Sequence, residues 1–185
     1  MNFLKFLLII FISINSPIKA DSNQNIINEL KRGGNLIFIR HAYAPGGGDP
    51  KNFDIKDCKT QRNLSNSGRN QAEKIGTYFK ENNIPISKVY SSEWCRCKET
   101  ALIAFNNFET KSFLNSFFSS QFAKNKDPQM KKLKTFISNW NENKNLVFVT
   151  HYVVISESLN YAPSSGEIVI SNKDFKVIDT IEIEY

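Results

Sequence analysis

The sequence predicts an α/β fold, a three-layer sandwich with a mostly parallel central sheet and helices on both faces. Short apolar runs rich in Ile, Val and Phe alternate with amphipathic segments at intervals that suit βα units. Residues 35–39 and 145–149 are typical of buried parallel strands. Two closing segments, 167–171 and 177–184, predict antiparallel strands.

The remaining elements follow from caps, breakers and helical spacing of apolar residues. Helices are predicted at 25–31, from a cap at Ser65 or Ser67 to Asn82, through 100–105, at 128–140 and at 153–159, with a further strand at 88–91. Residues 42–63 form a long polar loop, and loops of this length inside a compact domain are usually functional or mobile. The Phe-rich segment 113–122 is interpreted as core or lid packing.

The N-terminus has the pattern of a secretory signal peptide. Lys5 precedes an apolar stretch, residues 6–14, and Ala20 is a small residue suited to cleavage. We therefore expect a signal peptide over 1–20, one domain over 21–185, and a periplasmic or secreted protein. An uncleaved membrane anchor is the alternative, although the apolar stretch is shorter than the roughly 20 residues that span a bilayer.

The charge pattern favours one anionic ligand over a large anionic surface. The net charge is +6 for the whole chain, and it falls when the two lysines of the signal peptide are removed. Lysines are dispersed and arginines are few, whereas nucleic-acid binders gather basic residues on one face. We expect a small anionic ligand, no nucleic-acid partner, and no stable membrane insertion after cleavage.

Three cysteines predict one disulfide and one remaining thiol in an oxidising compartment. Cys95 and Cys97 lie too close in sequence for a relaxed bridge to each other, so Cys58 is expected to pair with one of them, and we favour Cys97. A zinc site is the competing interpretation, but only two histidines and no CxxC pair accompany the thiols. A cysteine nucleophile is disfavoured because no base accompanies these thiols. No metal or cofactor is expected.

The two histidines each follow a predicted strand. His41 comes after Arg40, and His151 after Thr150. Ligand sites in open α/β sheets form beyond the carboxyl ends of the strands, so neighbouring strands would direct both imidazoles into one crevice. Ser91 and Arg96 follow another predicted strand. This set suits a phosphoryl group, because guanidiniums form bidentate hydrogen bonds to its oxygens and a neutral imidazole can attack phosphorus.

Four sequence blocks, in order, resemble the signatures of the histidine phosphatase superfamily, also called phosphoglycerate mutase-like. Residues 36–42 (LIFIRHA) are similar to its RHG segment, and 63–72 (NLSNSGRNQA) to LTxxGxxQA. Residues 91–101 (SSEWCRCKETA) are similar to SSxxxRxxxTA, and 149–151 (VTH) to the second-histidine strand. Residues 57–65 (DCKTQRNLS) of the long loop and residues 94–97 (WCRC) resemble a secreted bacterial branch of the superfamily. This resemblance implies a disulfide between the long loop and the start of the following helix.

The resemblance implies that His41 becomes phosphorylated and that Arg40, Arg96 and His151 surround the phosphate. Three further residues are expected to bind substrate: Arg62, Ser91 and Thr150. For Arg62, a solvated loop cation is an equal alternative.

The general acid is the main departure from the family pattern. Many members carry a glutamate after the Thr-Ala helix or an aspartate after the second histidine, but Tyr152 follows His151, and residues 113–118 contain no carboxylate. Glu109, the nearest acid upstream, is the candidate. The alternatives are three aspartates of the long loop, Asp49, Asp54 and Asp57. A missing acid would favour good leaving groups such as phosphohistidine.

These expectations combine into a metal-independent phosphatase that hydrolyses phosphomonoesters through a phosphohistidine on His41. A phosphorylated cell-envelope sugar and a small periplasmic phosphomonoester both fit as substrates. The alternatives are a phosphohistidine phosphatase, a mutase, and a catalytically weak phosphate-ester binding protein of the same fold.

Overall fold

The computed structural model describes residues 18–185, with side chains from Gln24 onward. Helix α1 spans Ile18–Arg32, so it begins before the predicted cleavage point at Ala20. The rest of the predicted signal peptide lies outside the described residues. None of the described helices is both long enough and apolar enough to cross a membrane.

The described chain forms a six-stranded mixed sheet. Its strands are β1 (Leu36–Arg40), β2 (Ile86–Ser91), β3 (Glu109–Thr110), β4 (Asn145–Thr150), β5 (Ile168–Ser171) and β6 (Val177–Ile181). They are ordered β3-β2-β4-β1-β5-β6. The first four in this order pair in parallel, and β5 and β6 add antiparallel pairs at one edge.

Helices cover both faces of this sheet, which confirms the predicted fold class. The helices after α1 are α2 (Asn66–Glu81), α3 (Cys95–Phe105), α4 (Lys126–Ser138) and α5 (Tyr152–Leu159). Alternate strand residues point to opposite faces. In β1, Ile37 and Ile39 share a buried cluster with residues of α1, α2 and α3, whereas Leu36 and Phe38 share one with residues of α4 and α5.

The central position of β1 and β4 brings the two histidine segments together. Arg40 is paired with Thr150 at the carboxyl ends of these parallel strands, and the His41 amide donates to the Thr150 carbonyl at 2.9 Å. The expectation of neighbouring strands is therefore confirmed. His41 and His151 leave the same edge of the sheet, with ring centroids 5.6 Å apart.

Two glycines allow backbone segments to approach closely beside this edge. A Cβ at Gly68, in the first turn of α2, would lie 2.0 Å from the Tyr43 carbonyl oxygen. Gly166 has a φ of +72°, and a Cβ there would meet the Gln71 side chain at 2.3 Å. The Gly166 amide is thereby positioned to donate to the Arg40 carbonyl at 3.1 Å. Both contacts fix the backbone on either side of His41.

Candidate active site

A cavity of about 310 Å³ opens at the carboxyl ends of β1 and β4. Five residues predicted from the sequence line it together: Arg40, His41, Arg62, Arg96 and His151. Such crevices are the usual ligand sites of open α/β sheets. Three guanidiniums and two imidazoles in one cavity make it suited to an anion.

His41 is held as a neutral imidazole of defined tautomer. The residue is 2% exposed, and Nδ1 lies 2.8 Å from the Ala42 carbonyl oxygen. A carbonyl only accepts, so Nδ1 carries the proton, and Nε2 accepts a hydrogen bond from Arg96 Nε at 3.1 Å. Burial, followed by the positive charge of Arg96, holds the pKa of His41 well below its ordinary value. The Nε2 lone pair is therefore not occupied by a proton at neutral pH.

Arg96 is fixed by Asp49, which comes from the long loop after β1. The guanidinium donates to the two carboxylate oxygens of Asp49, from Nη1 at 2.7 Å and from Nη2 at 3.3 Å. Trp94 Nε1 and the Arg62 amide also donate to this carboxylate, each at 3.0 Å. Asp49 therefore accepts four hydrogen bonds and orients Arg96 towards His41.

The net effect of these contacts is to keep Asp49 ionised. Burial by itself raises the pKa of Asp49, but the hydrogen bonds and charge of Arg96, with the hydrogen bonds of Arg62 and Trp94, bring the pKa below its ordinary value. Asp49 is the only carboxylate among the described residues that line the cavity. In this arrangement it is an acceptor and not a proton donor.

Arg40 and Arg62 keep donors that no described residue satisfies. The Nε atoms of both are buried without a hydrogen-bond partner in the described part of the chain. Each guanidinium is anchored at one end, Arg40 by the Pro163 carbonyl at 2.9 Å and Arg62 by the Ala44 carbonyl. Unsatisfied buried N–H groups are costly, and both guanidinium side chains line the cavity, where they offer positive charge to an anion.

His151 is buried against a hydroxyl and a thiol. Ser92 Oγ lies 2.8 Å from His151 Nε2, and Cys97 Sγ lies 3.5 Å from the same nitrogen. Burial and the charge of Arg96 hold the pKa of His151 well below its ordinary value. Burial also raises the pKa of the Cys97 thiol to about 12, so this thiol remains protonated.

Two predicted substrate-binding hydroxyls are not brought to the cavity. Ser91 and Thr150 are the last residues of β2 and β4, and both are fully buried. The Ser91 hydroxyl donates to the Ser92 carbonyl at 2.9 Å, and Thr150 Oγ1 donates to the Leu114 carbonyl at 2.6 Å. The assignment of these two residues to substrate contact was wrong, because their side chains bind backbone behind the site.

The predicted general acid, Glu109, also lies away from the cavity. It sits in the two-residue edge strand β3 and is bound by Lys88 at 2.8 Å and Lys111 at 3.5 Å. These lysines, Lys88 first, lower the pKa of Glu109. Glu109 does not line the cavity, so this assignment is corrected. The position of Glu109 in the sequence, shortly after α3, did not indicate whether its side chain would reach the cavity.

The disulfide joins Cys58 to Cys95, with Cα atoms 5.7 Å apart, and leaves Cys97 as a buried thiol. The predicted partner, Cys97, was wrong. Residues two apart on a helix point in nearly opposite directions, and Cys97 faces the sheet beside Thr150 and His151. Cys95 faces the long loop and therefore meets Cys58. The implied link from loop to helix start is present.

Several residues that line the cavity or support its histidines were not assigned a site role from the sequence. Trp94 carries the indole N–H that binds Asp49, and Ser92 contacts His151. Asn115 accepts from the Ser92 hydroxyl at 3.1 Å and from the Glu93 amide at 2.9 Å. Phe118, which is 69% exposed, and Tyr152 stand at the cavity mouth. Only their nearness to the recognised motifs in sequence could have suggested these residues.

No group of three or more His, Cys, Asp and Glu side chains in the described part of the chain is arranged to hold a metal ion.

The fold is that of the phosphoglycerate mutase-like class of α/β proteins. The sequence model of the histidine phosphatase superfamily (branch 1) matches residues 36–115, a range that contains three of the four sequence blocks that predicted this similarity. No curated protein sequence matches the chain.

Solved structures share the fold at low sequence identity. The protein histidine phosphatase SixA, solved with tungstate, is 12% identical with a TM-score of 0.56, over 80% of this chain and 96% of its own. Phosphoglycerate mutase from Thermus thermophilus is 13% identical with a TM-score of 0.55, over 81% and 99%. The protein TTHB049 of the same organism is 14% identical with a TM-score of 0.58, over 82% and 97%.

Proposed function

We propose that this chain is a phosphatase that transfers a phosphoryl group from a small phosphomonoester to His41 and then to water. The observation that carries the proposal is the state of His41. Its Nδ1 proton is held by a backbone carbonyl, and its unprotonated Nε2 faces Arg96 in a cavity that also holds two further arginines. The similarity of residues 36–115 to the histidine phosphatase superfamily supports the same reaction class.

The first step needs an imidazole nucleophile and stabilisation of negative charge. His41 Nε2 forms a bond to phosphorus as the bond from phosphorus to the leaving-group oxygen breaks. Arg40 and Arg62, which line the cavity, supply guanidinium donors to the phosphoryl oxygens. Arg96 Nε donates to this lone pair at 3.1 Å in this structure, so its hydrogen bond to Nε2 breaks as phosphorus approaches and its N–H then donates to a phosphoryl oxygen.

The second step returns the enzyme to its starting state. Water attacks the phosphorus of phosphohistidine, the N–P bond breaks, and inorganic phosphate leaves. His41 regains its Nε2 lone pair, and the Ala42 carbonyl holds its Nδ1 proton throughout. No step requires a metal ion.

The ionised state of Asp49 sets the expected substrate preference. A proton donor matters most when the leaving group is a poor one, and the only described carboxylate in the cavity is held as an acceptor by Arg96, Arg62 and Trp94. We therefore propose that small substrates react in order of leaving-group acidity. The same observation favours a phosphohistidine or other phosphoramidate as a second candidate substrate.

The wider proposals concern place and natural substrate. The disulfide between Cys58 and Cys95 supports an oxidising compartment, and hence the periplasm or the exterior. A phosphorylated sugar of the cell envelope remains the proposed natural substrate.

The proposal is tested with a series of aryl phosphates of decreasing leaving-group acidity. We expect turnover, a steep fall in kcat/KM along the series, and acid-labile phosphate on the protein after rapid quenching. His41→Ala should abolish both turnover and protein-bound phosphate. Cys97→Ala, which changes a buried neighbour of His151 but leaves the cavity lining intact, should retain both. Absence of turnover together with retained binding of phosphate esters would instead identify a binding protein.

A further inference from the structure

A second cavity of about 570 Å³ adjoins the active-site cavity. Four residues line both cavities: Trp94, Ser116, Gln121 and Phe122. The Phe122 ring meets the Trp94 ring edge to face, with centroids 5.6 Å apart. The Trp94 ring in turn lies 5.4 Å from the His151 ring. The second cavity therefore begins about one aromatic side chain away from the two histidines.

The two cavities differ sharply in charge. The active-site cavity is lined by three arginines, whereas no lysine or arginine is among the described residues that line the second. Its one ionisable side chain is Asp54, an acid. An anion would be repelled there, so the second cavity suits an uncharged group.

The walls of the second cavity combine aromatic rings with free amides. Phe53 stacks on Trp94 with centroids 4.9 Å apart, and meets Phe122 at 5.5 Å. Gln121 and Asn125 line the same space, and neither side chain makes a hydrogen bond to any described residue. Aromatic surface with a few placed polar groups is the usual make-up of a small-molecule site, and volumes of about 300–1,000 Å³ are typical.

We propose that the second cavity binds the leaving group of the substrate, and that this group is an uncharged ring with hydroxyl substituents. The proposal rests on the proposed function, because it requires the phosphoryl group to lie among the arginines of the active-site cavity. The leaving group then extends past Ser116 and Gln121 into the second cavity. Amides donate to and accept from hydroxyls, and the half-buried rings of Phe53 and Phe122 add apolar lining to the cavity.

This arrangement would also offset the missing proton donor. Binding energy from a part of the substrate that does not react can be used to orient the reacting atoms. A hydroxyl-bearing leaving group held in the second cavity would thus react faster than its leaving-group acidity alone predicts, unlike the aryl phosphates of the series above.

The test fills the second cavity and leaves the first unchanged. Asn125→Phe adds a ring to the second cavity, at a position whose side chain does not cap α4. Ala123→Phe is the matched control, because it adds a ring to the same exposed turn and lines neither cavity. Glucose 1-phosphate, glucose 6-phosphate and mannose 6-phosphate are the substrates, and inorganic phosphate is the competitive inhibitor.

We expect Asn125→Phe to lower kcat/KM for the best hexose phosphate at least about tenfold, the effect of losing one good hydrogen bond. The inhibition constant of inorganic phosphate should stay unchanged, as should both values in Ala123→Phe. If Asn125→Phe lowers the Tm, Asn125→Ala removes the amide without added bulk and should lower kcat/KM in the same direction.

Calorimetry in the His41→Ala background separates this proposal from the proposed function. There we expect a hexose phosphate to bind more tightly than inorganic phosphate, and Asn125→Phe to remove the difference. That result without turnover by the wild type would leave the subsite standing and refute the phosphatase. Equal affinity for all hexose phosphates and inorganic phosphate, or equal behaviour of Asn125→Phe and Ala123→Phe, would overturn the subsite.

Discussion

Replacing Asp49 with asparagine removes the charge that holds Arg96 but keeps the size of the side chain. The carboxylate accepts four hydrogen bonds, two from Arg96 and one each from Trp94 and Arg62. An asparagine has one acceptor oxygen, so its amino group must face donors whichever way it turns. The substitution therefore turns attractive contacts into donor–donor contacts inside the site.

The burial of this ion pair sets the size of the effect. The side chains of Arg96 and Asp49 are 4% and 17% exposed. Removing one partner of a fully buried pair costs about 3–5 kcal/mol, and water in the adjoining cavity reduces that penalty. We expect Asp49→Asn to lower the free energy of unfolding by about 2–3 kcal/mol at neutral pH, and hence the Tm by roughly 4–12 °C for a domain of this size.

The effect should depend on pH in a defined direction. Because the pKa of Asp49 is lowered in the folded chain, its stabilisation is present above the unfolded pKa and is lost as the pH falls through the folded pKa. The Tm difference between wild type and Asp49→Asn should therefore be full at pH 7 and shrink below about pH 4. Asp174→Asn, at an exposed position, is the control and should change stability by less than about 0.5 kcal/mol.

Thermal and urea unfolding measure both variants across this pH range. Equal Tm values for wild type and Asp49→Asn at pH 7 would refute the argument. So would a difference that stays constant into acid, since that would assign the effect to packing and not to charge.

Three further predictions concern the disulfide, the histidines and one arginine. Replacing both Cys58 and Cys95 with serine should cost about 4 kcal/mol by loop-closure entropy over their separation of 37 residues, and a reductant should lower the Tm of wild type but not of the variant. The chain has only two histidines, and because burial lowers both pKa values, neither ring signal should titrate near pH 6.5 by NMR. The unfolded chain binds protons at these histidines at a higher pH than the folded chain does, so the free energy of unfolding should fall as the pH drops below about 6.5. An inflection near this pH in either ring would contradict the prediction. Arg62→Met should weaken inhibition by inorganic phosphate at least about tenfold, whereas Arg69→Met, whose guanidinium binds Glu99 outside the cavity, should not; equal inhibition constants would remove Arg62 from the site.

The fold and the centre of the site could be predicted because they depend on local patterns. The apolar runs that form β1 and β4 are buried along almost their whole length, and this burial gives them continuous hydrophobic sequences. The position of His41 and His151 directly after these runs then fixes both rings at one edge of the sheet. Arg96 followed from its place in the third motif, near the carboxyl end of β2.

The errors fall where orientation decides the outcome. Thr150 ends its strand pointing into the core, and its hydroxyl binds the Leu114 carbonyl, while the next residue turns into the cavity. The choice between Cys95 and Cys97 depends on the rotation of α3 about its axis. The position of Glu109 depends on where a two-residue edge strand joins β2. None of these is fixed by spacing along the chain.

The long loop helps to fix the geometry of the proposed nucleophile. It is fastened twice to the start of α3, by the disulfide from Cys58 to Cys95 and by the ion pair from Asp49 to Arg96. Loops of this length are usually functional or mobile, and these two contacts remove mobility at the helix turn that carries Arg96. Because Arg96 also contacts His41, the covalent link and the ion pair both act on the geometry of the proposed nucleophile. Reduction of the disulfide should therefore weaken phosphate binding and lower stability. The loss of phosphate binding on reduction should be larger in Asp49→Asn than in wild type, because the ion pair to Arg96 is already lost in that variant.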